Sequence, residues 1–532
     1  MVLWRAARRW ATRWTITGLL TLLLILSSGF WCWGVLPAQA ASSIQPYLDR
    51  VMGQVTEFTL ENGLKFVVLE RHQAPVVSFM TYADVGGADE PDGYTGIAHY
   101  LEHLAFKGTQ RIGTKDYAKE QVVLQRIDTV QSALQQANAE ATKLTAALQP
   151  EHPSVKAIRA KIATLTTQAE QLETEALQYV NQNEYGQIVE QAGGSGLNAT
   201  TSSDATRYFY SFPANKLELW MSLESERFLE PVFREFYKEK QVILEERRMR
   251  TENSPIGQLV EAFLRQSFSQ HPYGRAVIGS REDIQRITSA DVQQFFKTYY
   301  GPSNLTIAIV GDVNPTQVKQ LAQTYFGRFA KQPTPPTVAK VEPPQKAPKE
   351  VTLKLPSQPI YLEGYHRPAI SHPDSVIYDA IASILSDGRT SRLYQKLIQD
   401  SKVALSAESF NGFPGDKFPN LIMFYALTAP GRNIDEVQQL IQAEITRLVR
   451  EPVTTAELDR IKTNARAGLL RSLDSNSGMA GALLEYENKT GDWRNLFKQI
   501  DRIAAITPAD IQRVAKATFK PENRTIGRIL PQ

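Results

Sequence analysis

His99-Tyr100-Leu101-Glu102-His103 brings together two imidazoles and a carboxylate at a spacing that can do chemistry. On a helix, side chains at i and i+4 project from one face, so both rings can reach one metal ion while Glu102 stands beside them as a general base. Only seven histidines occur in 532 residues, which makes two of them at this spacing informative. Two imidazoles do not complete a catalytic zinc site, which takes three protein donors and leaves one position for water. A third donor is available in Glu239-Lys240-Gln241-Val242-Ile243-Leu244-Glu245-Glu246, which reads as helix. Glu239 and Glu246 are two turns apart on one face, so one can ligate while the other braces.

The order H-x-x-E-H, followed by this E-x6-E pair, resembles the insulinase/pitrilysin family of zinc peptidases, the inverzincins, and most closely its two-subunit, processing-peptidase-like branch. The resemblance implies His99, His103 and Glu246 as ligands of one Zn2+ per chain, Glu102 as catalytic base and Glu239 as the supporting carboxylate. Glu245 is the neighbour to be excluded. Neutral imidazoles and one carboxylate leave zinc a net positive charge, which lowers the pKa of its water toward ~7.

Composition is that of a globular chain with more than one domain: 42% hydrophobic and 22% charged residues. The amino terminus differs. Arg5, Arg8, Arg9 and Arg13 precede an uncharged apolar run, residues 16–36, and Ala38-Gln39-Ala40 supplies small residues at a cleavage position. Residues 1–40 therefore read as an export signal, or as a membrane anchor if uncleaved, since about 20 apolar residues span a bilayer. The expected location is periplasm or another compartment outside the cytoplasm, the thylakoid lumen included. Cys32, the one cysteine, falls in this segment, so histidine and carboxylate must carry any metal. Removing the four arginines takes the formal charge from +3 to about −1, which is no footprint for nucleic acid.

The chain repeats itself. Ile287-Thr288-Ser289-Ala290-Asp291 through Ile307 returns 219 positions later as Ile506-Thr507-Pro508-Ala509-Asp510 through Ile526, each copy a Thr-capped helix, a Pro-Asn turn and a strand. Residues 41–330 form a first, metal-binding half, 331–349 a proline-rich and stiff linker, and 350–532 a second half lacking metal ligands. Val55–Leu60, Leu64–Leu69 and Val76–Val85 read as strands, with a hairpin at Glu61-Asn62-Gly63. The class is α+β with mainly antiparallel sheet. The resemblance implies two related α/β rolls, with residues 373–388 in the place of the zinc helix and no second metal site.

His103 and Glu246 are separated by 142 residues, more than the family spacing, and the excess lies at 118–182. There Val123, Ile127, Val130, Leu134, Ala137, Ala141, Leu144 and Leu148 recur in heptads. The pattern resumes after Pro153 at Val155, Ile158, Ile162, Leu165, Ala169, Leu172 and Ala176. This predicts an inserted antiparallel coiled-coil hairpin with arms on the order of 45 Å. Its apolar seam is expected to be spent on itself; a further hypothesis is that the hairpin docks a partner or guards the substrate chamber.

Further on, Gly193-Gly194-Ser195-Gly196-Leu197-Asn198-Ala199-Thr200-Thr201 enters a strand whose edge can bind an extended peptide through its main chain. By resemblance Asn198 and Ala199 are candidate substrate contacts. His271-Pro272-Tyr273-Gly274 also resembles a family motif, and a turn with a hydrogen-bonded histidine accounts for it. Ser391-Arg392-Leu393-Tyr394-Gln395-Lys396-Leu397 matches the segment preceding the Arg and Tyr that stabilise the oxyanion in single-chain members. At that pair this chain has Ile398 and Leu405, which donate no hydrogen bond. The expectation is a zinc endopeptidase acting on peptides or unfolded chains as the zinc-bearing subunit of a heterodimer, its zinc-less relative supplying the Arg/Tyr pair. The alternative is a non-catalytic scaffold or peptide-binding member of the family.

Overall fold

The turn expected at Glu61-Asn62-Gly63 joins β1 (Val55–Thr59) to β2 (Lys65–Glu70), antiparallel with Thr59 opposite Lys65. The structure, a computed structural model, describes residues 45–532; the export signal expected at 1–40 lies outside the described residues. No helix among the described residues is long and apolar enough to cross a membrane. β3 (Val76–Ala83) is buried at every position after its first, because both faces of its sheet are covered there. With β4 (Ser195–Thr201), β5 (Thr206–Pro213) and β6 (Leu305–Gly311) these strands form a six-stranded sheet in the order β1-β2-β6-β3-β5-β4. The second half builds β7 (Lys349–Lys354), β8 (Ile360–Arg367), β9 (Ala404–Phe413), β10 (Asn420–Thr428) and β11 (Arg524–Leu530), in the order β7-β11-β8-β10-β9.

Apart from β1, the sheets share one topology. The last strand of each half slots between the first two, parallel to one and antiparallel to the other: β6 between β2 and β3, β11 between β7 and β8. The sequence repeat is the structural reason. Thr288 with Asp291 and Thr507 with Asp510 each close a capping box, and the turns Pro302–Asn304 and Pro521–Asn523 then lead into β6 and β11. The fold is thus two related α/β rolls.

Equivalent helices are exchanged between the rolls. Helix Pro255–Ser267 of the first half packs on β7 and β11, and helix Asn476–Thr490 of the second packs on β3 and β6. Leu259 and Phe263 join Leu362, Leu421 and Ile529 in one core. The proline-rich connector has no helix or strand over residues 331–346, yet it is strapped down. Its Glu342 carboxylate accepts the N–H groups of Ser269, Gln270 and His271 at 2.8, 2.9 and 3.0 Å.

Helices Tyr117–Ala147 and Pro153–Leu177 pack antiparallel as a hairpin. Every heptad position named from the sequence is buried or half-buried, and Arg126 meets Glu175 at 3.0 Å. At its base Val123, Ile127, Leu172 and Ala176 pack against Tyr237, whose hydroxyl donates to Asp128 at 3.0 Å. The hairpin therefore braces the helix Phe236–Arg247, which carries Glu239 and Glu246.

Candidate metal centre and catalytic base

Helix Ile97–Leu104 presents Ile97, Ala98, Tyr100, Leu101 and Leu104 to the core, which turns the remaining positions toward the site. Its start is fixed by Gly96, whose φ of 90° and close approach to the Ile278 carbonyl leave no room for a Cβ. Buried Glu90 caps it, accepting the N–H groups of Gly96 and Ala98, both at 2.9 Å. Burial pushes Glu90 up to about 8, against the pull of those two bonds. The Tyr100 hydroxyl donates to the Phe236 carbonyl and the two rings stack at 4.7 Å, locking this helix to Phe236–Arg247.

That junction brings His99, His103 and Glu246 together. His99 Nε2 and His103 Nε2 each lie 3.6 Å from Glu246 Oε2, and the imidazoles meet edge to face at 4.9 Å. All three donor atoms fall within 4.8 Å of one another, and among the described residues no other group of three His, Cys, Asp or Glu side chains comes so close. Tetrahedral zinc with bonds of about 2.0–2.2 Å places its donors roughly 3.3–3.6 Å apart, so the residues fit the ion. Glu246 is 14% exposed, whereas the adjacent Glu245 is 49% exposed and paired with Arg248. Burial, the neighbouring His103 and then Arg250 hold His99 down at about 3, which keeps the imidazole neutral as a ligand must be.

Glu246 and Glu239 each have a cation on the outer oxygen. Arg250 Nη1 is 2.6 Å from Glu246 Oε1, leaving Oε2 for the imidazoles. Lys107 Nζ is 2.6 Å from Glu239 Oε1, while Glu239 Oε2 meets His103 Nδ1 at 3.2 Å. Burial would raise Glu239, but its bonds to His103 and Lys107 prevail and hold it at about 2. A carboxylate behind a ligating imidazole fixes its tautomer and orientation. Glu239→Gln is therefore expected to weaken zinc binding about 10–100-fold in chelator competition, and an unchanged affinity would count against the assignment.

Glu102 belongs to neither clamp. It is half-buried, and Thr201 at the end of β4 donates to its Oε2 at 2.5 Å. Burial raises its pKa above the ordinary value, outweighing that hydrogen bond, which brings a glutamate closer to the range useful for a base. A cavity of about 420 Å³ opens beside Glu102 and His103, lined also by Phe106, Lys107 and Asn183.

Among the described residues β4, with Asn198 and Ala199, is the last strand of its sheet and pairs only with β5. Asn198 is exposed and its Oδ1 accepts the Ala199 N–H at 2.9 Å, while the Ala199 side chain is buried. Ile398 packs half-buried against the second core and Leu405 is 52% exposed on β9. Glu90, Lys107 and Thr201 were not expected from sequence. No sequence pattern pointed to the role of any of the three; Lys107 sits beyond the end of helix Ile97–Leu104.

Comparison with known proteins finds relatives over most of the chain. The pattern described as "Insulinase (Peptidase family M16)" matches residues 65–152 and 170–281, and that described as "Peptidase M16 inactive domain" matches residues 286–465. A zinc protease of Helicobacter pylori, PqqE, is 29% identical over 482 residues, covering 89% of this chain and 92% of its own. A probable mitochondrial-processing peptidase subunit beta of Arabidopsis thaliana is 24% identical, over 89% of this chain and 78% of its own. The crystal structure of a protease from Helicobacter pylori superposes with a TM-score of 0.74 at 28% identity, covering 90% of this chain and 99% of that one. Motif, topology and extent of similarity together place the chain in the insulinase family of peptidases, family M16.

Proposed function

We propose that this protein is a zinc-dependent endopeptidase and the zinc-bearing subunit of a heterodimer. The observation that carries the reading is the convergence of His99, His103 and Glu246, from two helices, with Glu102 alongside and outside the ligand set. A zinc ion held there would supply an activated water and polarise the scissile carbonyl. Glu102 takes the proton from the water and passes it to the leaving amine, and Thr201 keeps the carboxylate turned inward. Glu239 and Lys107 hold His103 in its ligating orientation. The free edge of β4, at Asn198 and Ala199, takes an extended peptide or unfolded segment by main-chain pairing.

Ile398 and Leu405 offer no donor to an oxyanion, so the chain draws that stabilisation from a zinc-less relative bearing an Arg and a Tyr. The same two positions favour the second reading, a non-catalytic peptide-binding scaffold. Metal analysis and peptide cleavage, with the chain alone and with that relative, separate the two. The expected result is one zinc per chain and turnover only in the mixture. Full activity of the lone chain would sink the heterodimer, and zinc without turnover in either sample would favour the scaffold. Residues 1–40 direct export, to the periplasm or an equivalent compartment, with membrane attachment through residues 16–36 if they are retained.

The hairpin serves assembly or guards the chamber. Removing all of 118–182 would strip the buried Arg234 of Glu120, its partner at 2.5 Å, and so confound the test. Gln131 contacts Glu173, a register that sets residue 138 near residue 165, so a short turn in place of 139–164 trims only the tip. The trimmed chain is expected to keep its zinc and melting temperature and to lose assembly or turnover; unchanged assembly and turnover would refute the role.

A further inference from the structure

His271-Pro272-Tyr273-Gly274 has no task in the reaction above, yet three segments cross on it. His271 Nδ1 accepts the Tyr273 N–H at 3.1 Å, and the His271 N–H is held by Glu342 of the connector. Buried Tyr273 donates its hydroxyl to Asp204, in the turn between β4 and β5, and the hydroxyl oxygen accepts the Phe418 N–H at 3.2 Å. Asp204 is 1% exposed. Its other oxygen accepts the N–H groups of Asp416 and Lys417 at 2.8 and 3.1 Å and lies 3.3 Å from Lys489 Nζ. Those last three groups, like Phe418, belong to the second half. The approach demands glycine at 415, where a Cβ would stand 2.6 Å from Asp204 Oδ1. Lys417 adds an ion pair to Asp84 at 2.5 Å.

The gripped turn is short and internally bonded. Ser202 Oγ accepts the N–H groups of Asp204 and Ala205 at 3.2 and 3.1 Å, and the Ser202 N–H donates to the Ala205 carbonyl at 2.8 Å. Thr201, which holds Glu102, directly precedes it. Burial works to neutralise Asp204, but Lys489, Tyr273 and the two N–H donors hold its carboxyl below the usual range, so the grip is on an anion.

We infer that Asp204 and Tyr273 are positioning residues: through them the metal-free second half holds the β4–β5 hairpin so that Thr201 keeps Glu102 aimed. The link to Glu102 rests on the peptidase reading; the mechanical link to β4 does not.

Tyr273→Phe, which removes one oxygen, and Thr201→Val test both parts in the full chain. Amide exchange over Ser195–Ala205 is expected to quicken about tenfold in Tyr273→Phe, with exchange in β3 and zinc content unchanged. In the assembled peptidase kcat is expected to fall about tenfold in either variant with KM little changed, and the double variant to fall no further than Thr201→Val alone. Unchanged exchange in β4, or kcat losses that multiply, would overturn the inference. Asp204→Asn serves as a second variant with the same expected exchange. A wild-type chain that bound no zinc would instead sink the peptidase reading, while exchange at β4 would still decide the latch.

Discussion

Replacing Glu102 by glutamine is expected to leave one zinc per chain and to cut turnover of the assembled peptidase by about 10³-fold or more. Glu102 is not one of the three donors, and Thr201 holds its carboxylate by a hydrogen bond. The amide can keep that bond through its carbonyl oxygen, so local structure survives while the proton acceptor is gone. Metal content by atomic absorption together with initial rates of peptide cleavage checks this. Loss of zinc, or a rate within tenfold of wild type, would move Glu102 out of the base role.

A second large effect separates two adjacent glutamates. Glu246→Gln is expected to weaken zinc binding on the order of 10³-fold, because one of three protein donors and the only ligand charge are lost. Glu245→Gln is expected to leave zinc affinity unchanged, because it removes only an exposed pair with Arg248. Both affinities come from one competition titration against a chelator. Equal affinities for the two variants would place the third donor elsewhere.

The sequence made the local geometry legible. His99 and His103 share a face because of their spacing, and the same holds for Glu239 with Glu246 and for the Thr288 and Thr507 caps. The heptad positions named from the sequence are all buried or half-buried, but the fully buried Glu120 was not among them. That Glu246, of the two glutamates, faces the imidazoles required family resemblance, since helix periodicity cannot say which turn of one helix meets another. Contacts that depend on tertiary packing left no pattern to read. Lys107 reaches Glu235 across 128 positions, Tyr273 reaches Asp204 across 69, and Asp204 meets Asp416 across 212. The exchange of helices Pro255–Ser267 and Asn476–Thr490 between the rolls was likewise invisible, because an apolar face does not name the sheet that covers it.

Three side chains from two helices are proposed to hold one zinc ion, with the Glu102 carboxylate free beside it. A crystal structure of the zinc-loaded protein, with anomalous scattering recorded at the zinc edge, tests this most directly. A single peak is expected about 2.0–2.2 Å from His99 Nε2, His103 Nε2 and Glu246 Oε2. A peak elsewhere, or Glu246 turned to solvent away from both imidazoles, would contradict it.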